Sequence, residues 1–314
     1  MNQPNKGLSI REMIEANKKK KYSTTNVFDK VMPFLLFLSA FVSVVTTVGI
    51  AFTLGFELFK FFERVPVAEF LGSTEWYPLS ADQRFGVWAL VMGTLQITVI
   101  AMIVAVPLGL ASAIYLSEYA SERARTILKP ILEVLAGVPT IVFGFFALSF
   151  VTPILQALIP GLQIYNALSP GIVVGIMIIP MIASISEDSM SAVPKKIRDG
   201  ALGLGATRLE VAIKVVMPAA LSGIIASIVL GMSRAIGETM IVTIAGGSQP
   251  NFEFNPLNAI QTMTAYIVQI AKGDAGYGTI EYYSIYAVGA LLFIFTLVMN
   301  LFANWVTRRF REEY

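Results

Sequence analysis

The sequence predicts an all-α, polytopic membrane protein with about six transmembrane helices. Of its 314 residues, 55% are hydrophobic and only 14% are charged, and the mean hydropathy is +0.70. Soluble domains carry about a quarter charged residues, so this composition is typical of a protein that lies in a bilayer. The apolar residues are also gathered in stretches of roughly 20, long enough to cross a hydrocarbon core of about 30 Å.

Six apolar stretches qualify as spans. They cover residues 32–58, 87–116, 131–155, 171–185, 219–246 and 283–306. The fourth is short and is interrupted by Pro180. These stretches define a transmembrane domain over residues 31–314, preceded by a basic segment at 1–30. The lysine run at 18–21 could be a nucleic-acid patch, but next to a span it indicates an orientation signal or a contact with anionic lipid.

The charge distribution predicts the orientation. If both termini are cytoplasmic, the inside segments hold 18 of the 23 Lys and Arg residues and the outside segments hold 4. Arg234 is the remaining one, within the fifth span. Because Lys and Arg accumulate on the cytoplasmic side of membrane proteins, both termini are expected in the cytoplasm. The longest inside loop is then 186–218.

The chain contains no Cys and no His. Disulfides, thiolate or imidazole metal ligands, His bases and Cys nucleophiles are therefore excluded. We predict no catalytic residue, no metal site and no cofactor bound by this chain. A membrane-embedded enzyme is disfavoured further because the spans carry no cluster of carboxylates.

The inside loop has the pattern of two short helices separated by Gly203 and Gly205. Thr207 and Glu210 have the spacing of a capping box, in which the Thr hydroxyl accepts from a backbone N–H and the Glu reaches back. The second helix is therefore expected to begin near Arg208. We expect it to end at Pro218, which has no N–H to donate to a helix.

This loop resembles the EAA signature of ABC importer permeases, E-A-A-x3-G-x9-I-x-L-P. The spacing matches throughout, with four conservative departures. The matching positions are Asp199, Gly200, Ala201, Gly205, Val215, Met217 and Pro218. The resemblance implies a cytoplasmic coupling-helix loop that docks on a separate ATPase. The alternative is a juxtamembrane elbow without a partner.

The resemblance also assigns the docking residues. They are Asp199, Gly200, Ala201, Gly203 and Gly205, where small side chains let a partner approach closely. The chain has no G-x-x-x-x-G-K-[ST] sequence to cradle phosphates, so ATP and Mg are expected on the partner ATPase.

The fifth span contains Arg234 and Glu238, which are expected to be neighbours on one helical face because they are four positions apart. Charges at mid-bilayer are costly and normally face protein or an aqueous path. One interpretation is an internal salt bridge that serves packing. The other is that Arg234 meets an anionic substrate in a translocation pathway, because a guanidinium suits oxyanions. A stripe of small residues lies alongside them and predicts close helix packing: Gly223, Ser227, Gly231 and Ala235.

From about Phe70 onwards, the chain resembles the C-type permease of Pst phosphate importers. The similar stretches include FLGSTEWYP at 70–78, AVPLGLASAIYLSEYA at 105–120 and RAIGETM at 234–240. This resemblance implies a bacterial inner-membrane permease that forms the path for inorganic phosphate with a second, A-type permease. It also implies a dimer of ATP-binding subunits and an extracytoplasmic phosphate-binding protein, with no nucleic-acid partner. Arg234 and Glu238 match the positions of the pathway.

Two alternatives remain open from the residues. A single Arg cannot separate phosphate from another oxyanion. An ion-coupled secondary transporter could use Arg234 and Glu238 as a relay, although such transporters usually show more buried ionisable groups and an internal repeat.

Overall fold

The computed structural model describes residues 10–309, and the predicted basic segment 1–30 lies partly outside these described residues. The chain divides into two compact units, Met1–Phe56 and Glu57–Tyr314. The first unit consists, where described, of most of one long helix, α1 (Ile10–Phe62). The second unit is a helical bundle with one small hairpin.

The second unit begins with short elements and continues with helices of very different length. In chain order these are α2 (Val67–Gly72), β1 (Trp76–Tyr77), β2 (Arg84–Phe85), α3 (Trp88–Ile114), α4 (Glu122–Gly137), α5 (Thr140–Phe146), α6 (Thr152–Leu158), α7 (Leu168–Ser191), α8 (Lys195–Gly203), α9 (Arg208–Val211), α10 (Met217–Ala219), α11 (Leu221–Ile236), α12 (Met240–Ala245), α13 (Met263–Gln269) and α14 (Ile280–Arg309). In the described part of the chain, π-helical turns join or extend helices at Tyr115–Tyr119, Ala147–Val151, Ala212–Val216 and Ile270–Asp274.

The prediction of about six spans is confirmed in outline. Within the described residues, five helical segments are long and apolar enough to cross a membrane: Val31–Phe62, Trp88–Tyr119, Thr140–Leu158, Leu168–Ser191 and Ile280–Ala303. A sixth is formed by Arg208–Ala219 and Leu221–Ile236 if this pair, bent by 76°, counts as one span.

The third and fourth predicted spans have the wrong bounds. The third was expected from residue 131, but α4 ends at Gly137 and a new helix begins at Thr140. Pro139 causes this break, because a residue before proline, here Val138, is driven to extended backbone. The fourth was expected to be short, yet α7 continues through Pro180 and Ser186 to Ser191. Inside a helical bundle, α7 can continue through Pro180 although the proline has no N–H to donate.

The centre of the bundle is the pairing of α3 with α7. A Cβ added at Gly175 would lie 2.8 Å from the carbonyl oxygen of Ala101, and one at Gly171 would lie 2.7 Å from Cγ2 of Ile100. Gly175 therefore lets the two backbones approach closely, and Gly171 leaves room for the Ile100 side chain. The side chains of Met177, Ile178 and other core residues are fully buried against this contact.

A second core lies around the hairpin, in which Trp76 pairs with Phe85 in antiparallel register. Trp76 is 1% exposed and packs edge-on against Tyr266, with ring centroids 4.9 Å apart. Phe61 and Phe70 complete the aromatic cluster. This core fixes the end of the bundle opposite to the loop at 186–218.

Candidate functional site

The predicted two-helix loop is present. We call residues 195–219 the elbow. Its second helix begins at Arg208 behind a complete capping box, as predicted. The Glu210 backbone N–H donates to the Thr207 hydroxyl at 3.3 Å, and the Thr207 backbone N–H donates to the Glu210 carboxylate at 3.0 Å. The T-x-x-E pattern is thus a reliable local signal.

The turn of the elbow is a Schellman motif. Gly205 has φ of +90°, the left-handed conformation that glycine adopts without strain. The Ala206 N–H donates to the Ala201 carbonyl at 3.2 Å and the Gly205 N–H donates to the Leu202 carbonyl at 2.9 Å. These are the two hydrogen bonds of the motif. They make the turn rigid without any side chain.

The predicted docking residues lie on the accessible side of this turn. Asp199, Gly200, Gly203 and Gly205 are exposed and Ala201 is half-buried. A Cβ at Gly200 or Gly203 would meet no atom within 4 Å. Leu204, which no predicted motif includes, projects from the tip of the turn with 92% of its surface exposed. The sequence pattern that could have indicated this exposed side chain is a single leucine between two glycines.

Pro218 does not end the elbow helix, so that expectation was wrong. The chain stays helical from α9 through a π-helical turn at Ala212–Val216 and through Pro218 to Ala219. The wider π-turn accommodates the missing N–H of the proline. The break comes at Ala220, where the direction changes by 76° before α11.

The fifth span also differs from the expectation. Its helix ends at Ile236, and Gly237 to Thr239 form a break before α12. Arg234 and Glu238 therefore do not share one helical face. Among the side chains that the structure describes, no carboxylate lies within 4.0 Å of the Arg234 guanidinium.

The two residues lie in different surroundings. Arg234 is exposed to a cavity, whereas Glu238 is buried with 7% of its surface accessible. The Glu238 carboxylate accepts from the Ile241 N–H at 3.3 Å, and its carbonyl accepts from the Thr264 hydroxyl at 2.8 Å. Glu238 thus stabilises the broken segment that follows Arg234.

The small-residue stripe on α11 packs against α7, which confirms the prediction. The hydroxyls of Ser227 and Ser186 are hydrogen-bonded at 2.8 Å. A Cβ at Gly223 would lie 2.5 Å from Cβ of Ser189, and one at Gly231 would lie 3.0 Å from Ile178. The stripe therefore connects the Arg234 helix directly to the central pair.

Arg234 lines a cavity of about 330 Å³. The other lining residues are Leu116, Lys129, Leu132, Glu133, Ala136, Met177, Pro180, Met181, Ser184 and Ile185. The cavity thus gathers two cationic side chains and one carboxylate from α4 and α11. In the sequence, Lys129 indicates only the orientation of the chain, and its place in the same cavity as Arg234 is seen only in the structure.

Lys129 also belongs to a cluster of ion pairs with α7. It contacts both Glu187 and Asp188, and Arg125 lies 3.7 Å from Glu187. Glu187 is only 1% exposed, so this cluster neutralises a buried charge. The hydrogen bond to Glu187 raises the pKa of the Lys129 ammonium above its ordinary value, although partial burial opposes the change.

The elbow has its own ionic anchor. Arg198 on α8 pairs with Glu118 at 3.2 Å and also donates to the Met190 carbonyl at the end of α7. Glu118 lies in the π-helical turn that extends α3. Two helices of the bundle are thereby joined to the elbow, a contact between segments too far apart in the chain for sequence pattern to reveal.

Comparison with known proteins agrees with this architecture. Residues 105–312 match the family described as binding-protein-dependent transport system inner membrane component. The chain is 32% identical to the probable ABC transporter permease protein YqgH of Bacillus subtilis (strain 168), over 86% of this chain and 88% of that protein. It is 31% identical to the phosphate transport system permease protein PstC of Haemophilus influenzae, over 77% of this chain and 82% of that protein.

Solved structures share the fold. A chain of a bacterial alginate ABC transporter, solved with an alginate pentasaccharide-bound periplasmic protein, matches with a TM-score of 0.62 and 17% identity. The match covers 90% of this chain and 96% of that chain. The chain therefore belongs to the family of binding-protein-dependent transport system inner membrane components: it is a multi-pass permease of an ABC importer, it is not an enzyme, and partners supply the ATPase and the substrate-binding protein.

Proposed function

We propose that this permease carries inorganic phosphate, with Arg234 in the translocation pathway. The observation that carries the proposal is the Arg234 guanidinium, which faces a cavity and has no carboxylate within 4.0 Å among the described side chains. An unpaired guanidinium in a membrane protein offers a fork of donors that matches the oxygens of a tetrahedral anion. Several relatives named as PstC, at about 30% identity, favour phosphate.

Glu238 keeps a place in this pathway as a positioning residue. Its carboxylate holds the start of α12 through the Ile241 N–H. In the proposal it fixes the break in the fifth span and thereby the end of the helix that presents Arg234.

The importer assembles, in the same proposal, from this chain and a second, A-type permease as a heterodimer. Two ATP-binding subunits hold ATP and Mg, and an extracytoplasmic phosphate-binding protein delivers the substrate. Both termini of the chain lie in the cytoplasm of a bacterial cell, within its inner membrane. Copurification with the tagged chain identifies these partners by mass, and protease access from either side tests the orientation.

The substrate is tested by transport. The whole importer is reconstituted in proteoliposomes, and uptake of phosphate, sulfate and a phosphonate is measured at saturating binding protein. We expect phosphate to be carried, and Arg234→Gln to lower turnover by about tenfold or more, since one charge-assisted contact is lost. Arg234→Lys retains the charge without the fork and should be intermediate. If sulfate or the phosphonate is carried and phosphate is not, the alternative of another oxyanion permease replaces the proposal.

The elbow docks the ATPase in this proposal through Asp199, Gly200, Ala201, Gly203 and Gly205. The variant Gly203→Trp adds bulk to the exposed turn, where an added Cβ meets no atom within 4 Å. It should reduce both ATPase copurification and uptake. The control is Gly72→Trp, which is equally free of neighbours but lies at the other end of the bundle. Normal uptake by Gly203→Trp would refute docking at this turn.

A further inference from the structure

The cavity of Arg234 contains a second cation that the sequence does not connect with transport. Lys129 comes from α4 and Arg234 from α11, and both line the same cavity of about 330 Å³. The side chain of Lys129 is 34% exposed and lines the cavity, while its ammonium contacts Glu187. Glu133 is the one carboxylate in the lining.

The two carboxylates that contact Lys129 are also stabilised by other groups. Glu187 retains Arg125 at 3.7 Å and accepts from the Ser191 hydroxyl at 3.0 Å. The side chain of Asp188 is 67% exposed and is therefore solvated. If the Lys129 ammonium turned towards the cavity, the Glu187 charge would still face Arg125, and the contact that would be lost is the one to Glu187 Oε2.

Arg125 cannot make the same movement. Its guanidinium donates to the Leu116 carbonyl at 2.7 and 3.3 Å and does not line the cavity. Among the described residues, the Lys129 ammonium has no backbone acceptor, and its polar contacts are with the carboxylates of Glu187 and Asp188. A lysine on its flexible stem can exchange one oxyanion for another without loss of charge pairing.

We propose that Lys129 is a second anion-binding residue of the pathway. Its ammonium moves away from Glu187 and binds the oxyanion together with Arg234. The inference rests on the proposed function, because it requires a tetrahedral oxyanion in this cavity. Two cations suit inorganic phosphate, which is a mixture of monoanion and dianion at neutral pH. Glu187 then acts as the resting counter-ion, and its pairing with Arg125 holds it in place when Lys129 moves.

A cysteine reporter tests this without relying on transport. The chain has no native Cys, and Ser184 lines the cavity. The variant Ser184→Cys, in the complete importer in nanodiscs, is modified with a neutral maleimide in phosphate or in chloride of equal ionic strength. The increase in mass of this chain over time gives the rate of cysteine modification. Phosphate in the cavity should slow the modification.

The decisive comparison separates anion binding from a counter-ion role. In the Ser184→Cys background, Glu187→Gln alone should keep the protection. The double variant Lys129→Met with Glu187→Gln removes both charges of the pair, so no buried carboxylate is left unpaired. Compared with Glu187→Gln, the double variant should need a phosphate concentration about tenfold higher for half-maximal protection of the cysteine.

Equal protection in the double variant and in Glu187→Gln would overturn the inference, because Lys129 would then serve only Glu187. Absence of protection in an importer that carries phosphate would overturn it as well. An importer that carries sulfate instead would contradict the proposed function, and the same comparison with sulfate then decides the role of Lys129 separately.

Discussion

The guanidinium of Arg198 lies 3.2 Å from the carboxylate of Glu118, which ties the elbow to the end of the helix that begins at Trp88. The two side chains are only 16% and 11% exposed, so the pair is shielded from solvent. Arg198 also donates to the Met190 carbonyl at the end of α7. Motion of the elbow is thus connected to both central helices as well as to α11.

Arg198→Gln is expected to be more harmful than Glu118→Gln. The first change leaves Glu118 without its cation and removes the donor to Met190, whereas the second leaves Arg198 bound to that carbonyl. We expect Arg198→Gln to destabilise the permease by about 2 kcal/mol and Glu118→Gln by less. Thermal unfolding in nanodiscs measures both. Equal losses would mean that the Met190 contact contributes nothing.

In coupled transport, the same Arg198→Gln importer should hydrolyse more ATP per phosphate carried, because the elbow is less firmly attached to the bundle. The ratio of ATP hydrolysis to uptake in proteoliposomes measures this. Lys214→Gln is the matched control, since Lys214 forms an exposed ion pair within the elbow itself. An unchanged ratio in Arg198→Gln would argue against the anchor.

Thr207→Ala removes the hydroxyl that caps α9 and should destabilise the elbow locally by about 1 kcal/mol. Thr207→Ser retains the hydroxyl and should resemble the parent chain. Amide hydrogen exchange of residues 208–211 reports the effect directly. Identical exchange in the two variants would show that the capping box does not stabilise this helix.

Gly205→Ala should destabilise the turn by about 1 kcal/mol, since φ of +90° is strained for a residue with a Cβ. Gly203→Ala is the control, because Gly203 lies in α8 without positive φ. It is expected to be neutral or slightly stabilising. Hydrogen exchange of the turn compares the two, and a larger effect at Gly203 would contradict the assigned backbone strain.

Gly223→Ala should overpack the contact between α11 and α7. The new methyl would lie 2.5 Å from Cβ of Ser189, so the helices must separate. We expect a loss of about 1–3 kcal/mol in thermal stability. Gly55→Ala, where a Cβ meets nothing within 4 Å, serves as the control and should not lower stability. Equal melting temperatures for the two variants would refute close packing at the stripe.

Local signals were sufficient for several features. The apolar stretches predicted the spans, the T-x-x-E pattern predicted the helix start at Arg208, and the spacing of Gly223, Ser227 and Gly231 predicted a packed face. Each depends on residues within a few positions of one another. The bounds failed where longer context mattered, as at Pro180, which the surrounding helices accommodate inside α7.

In the candidate site too, some features follow from the sequence and others only from the tertiary structure. The sequence by itself determined that the chain is a multi-pass membrane protein and that Arg234 is a rare charge within an apolar stretch. Only the tertiary structure decided that the helix ends at Ile236, which separates Arg234 from Glu238, and that Lys129 joins Arg234 in one cavity. The physical reason is that contacts such as the one between Lys129 and Glu187 join segments far apart in the chain, and no local pattern encodes them.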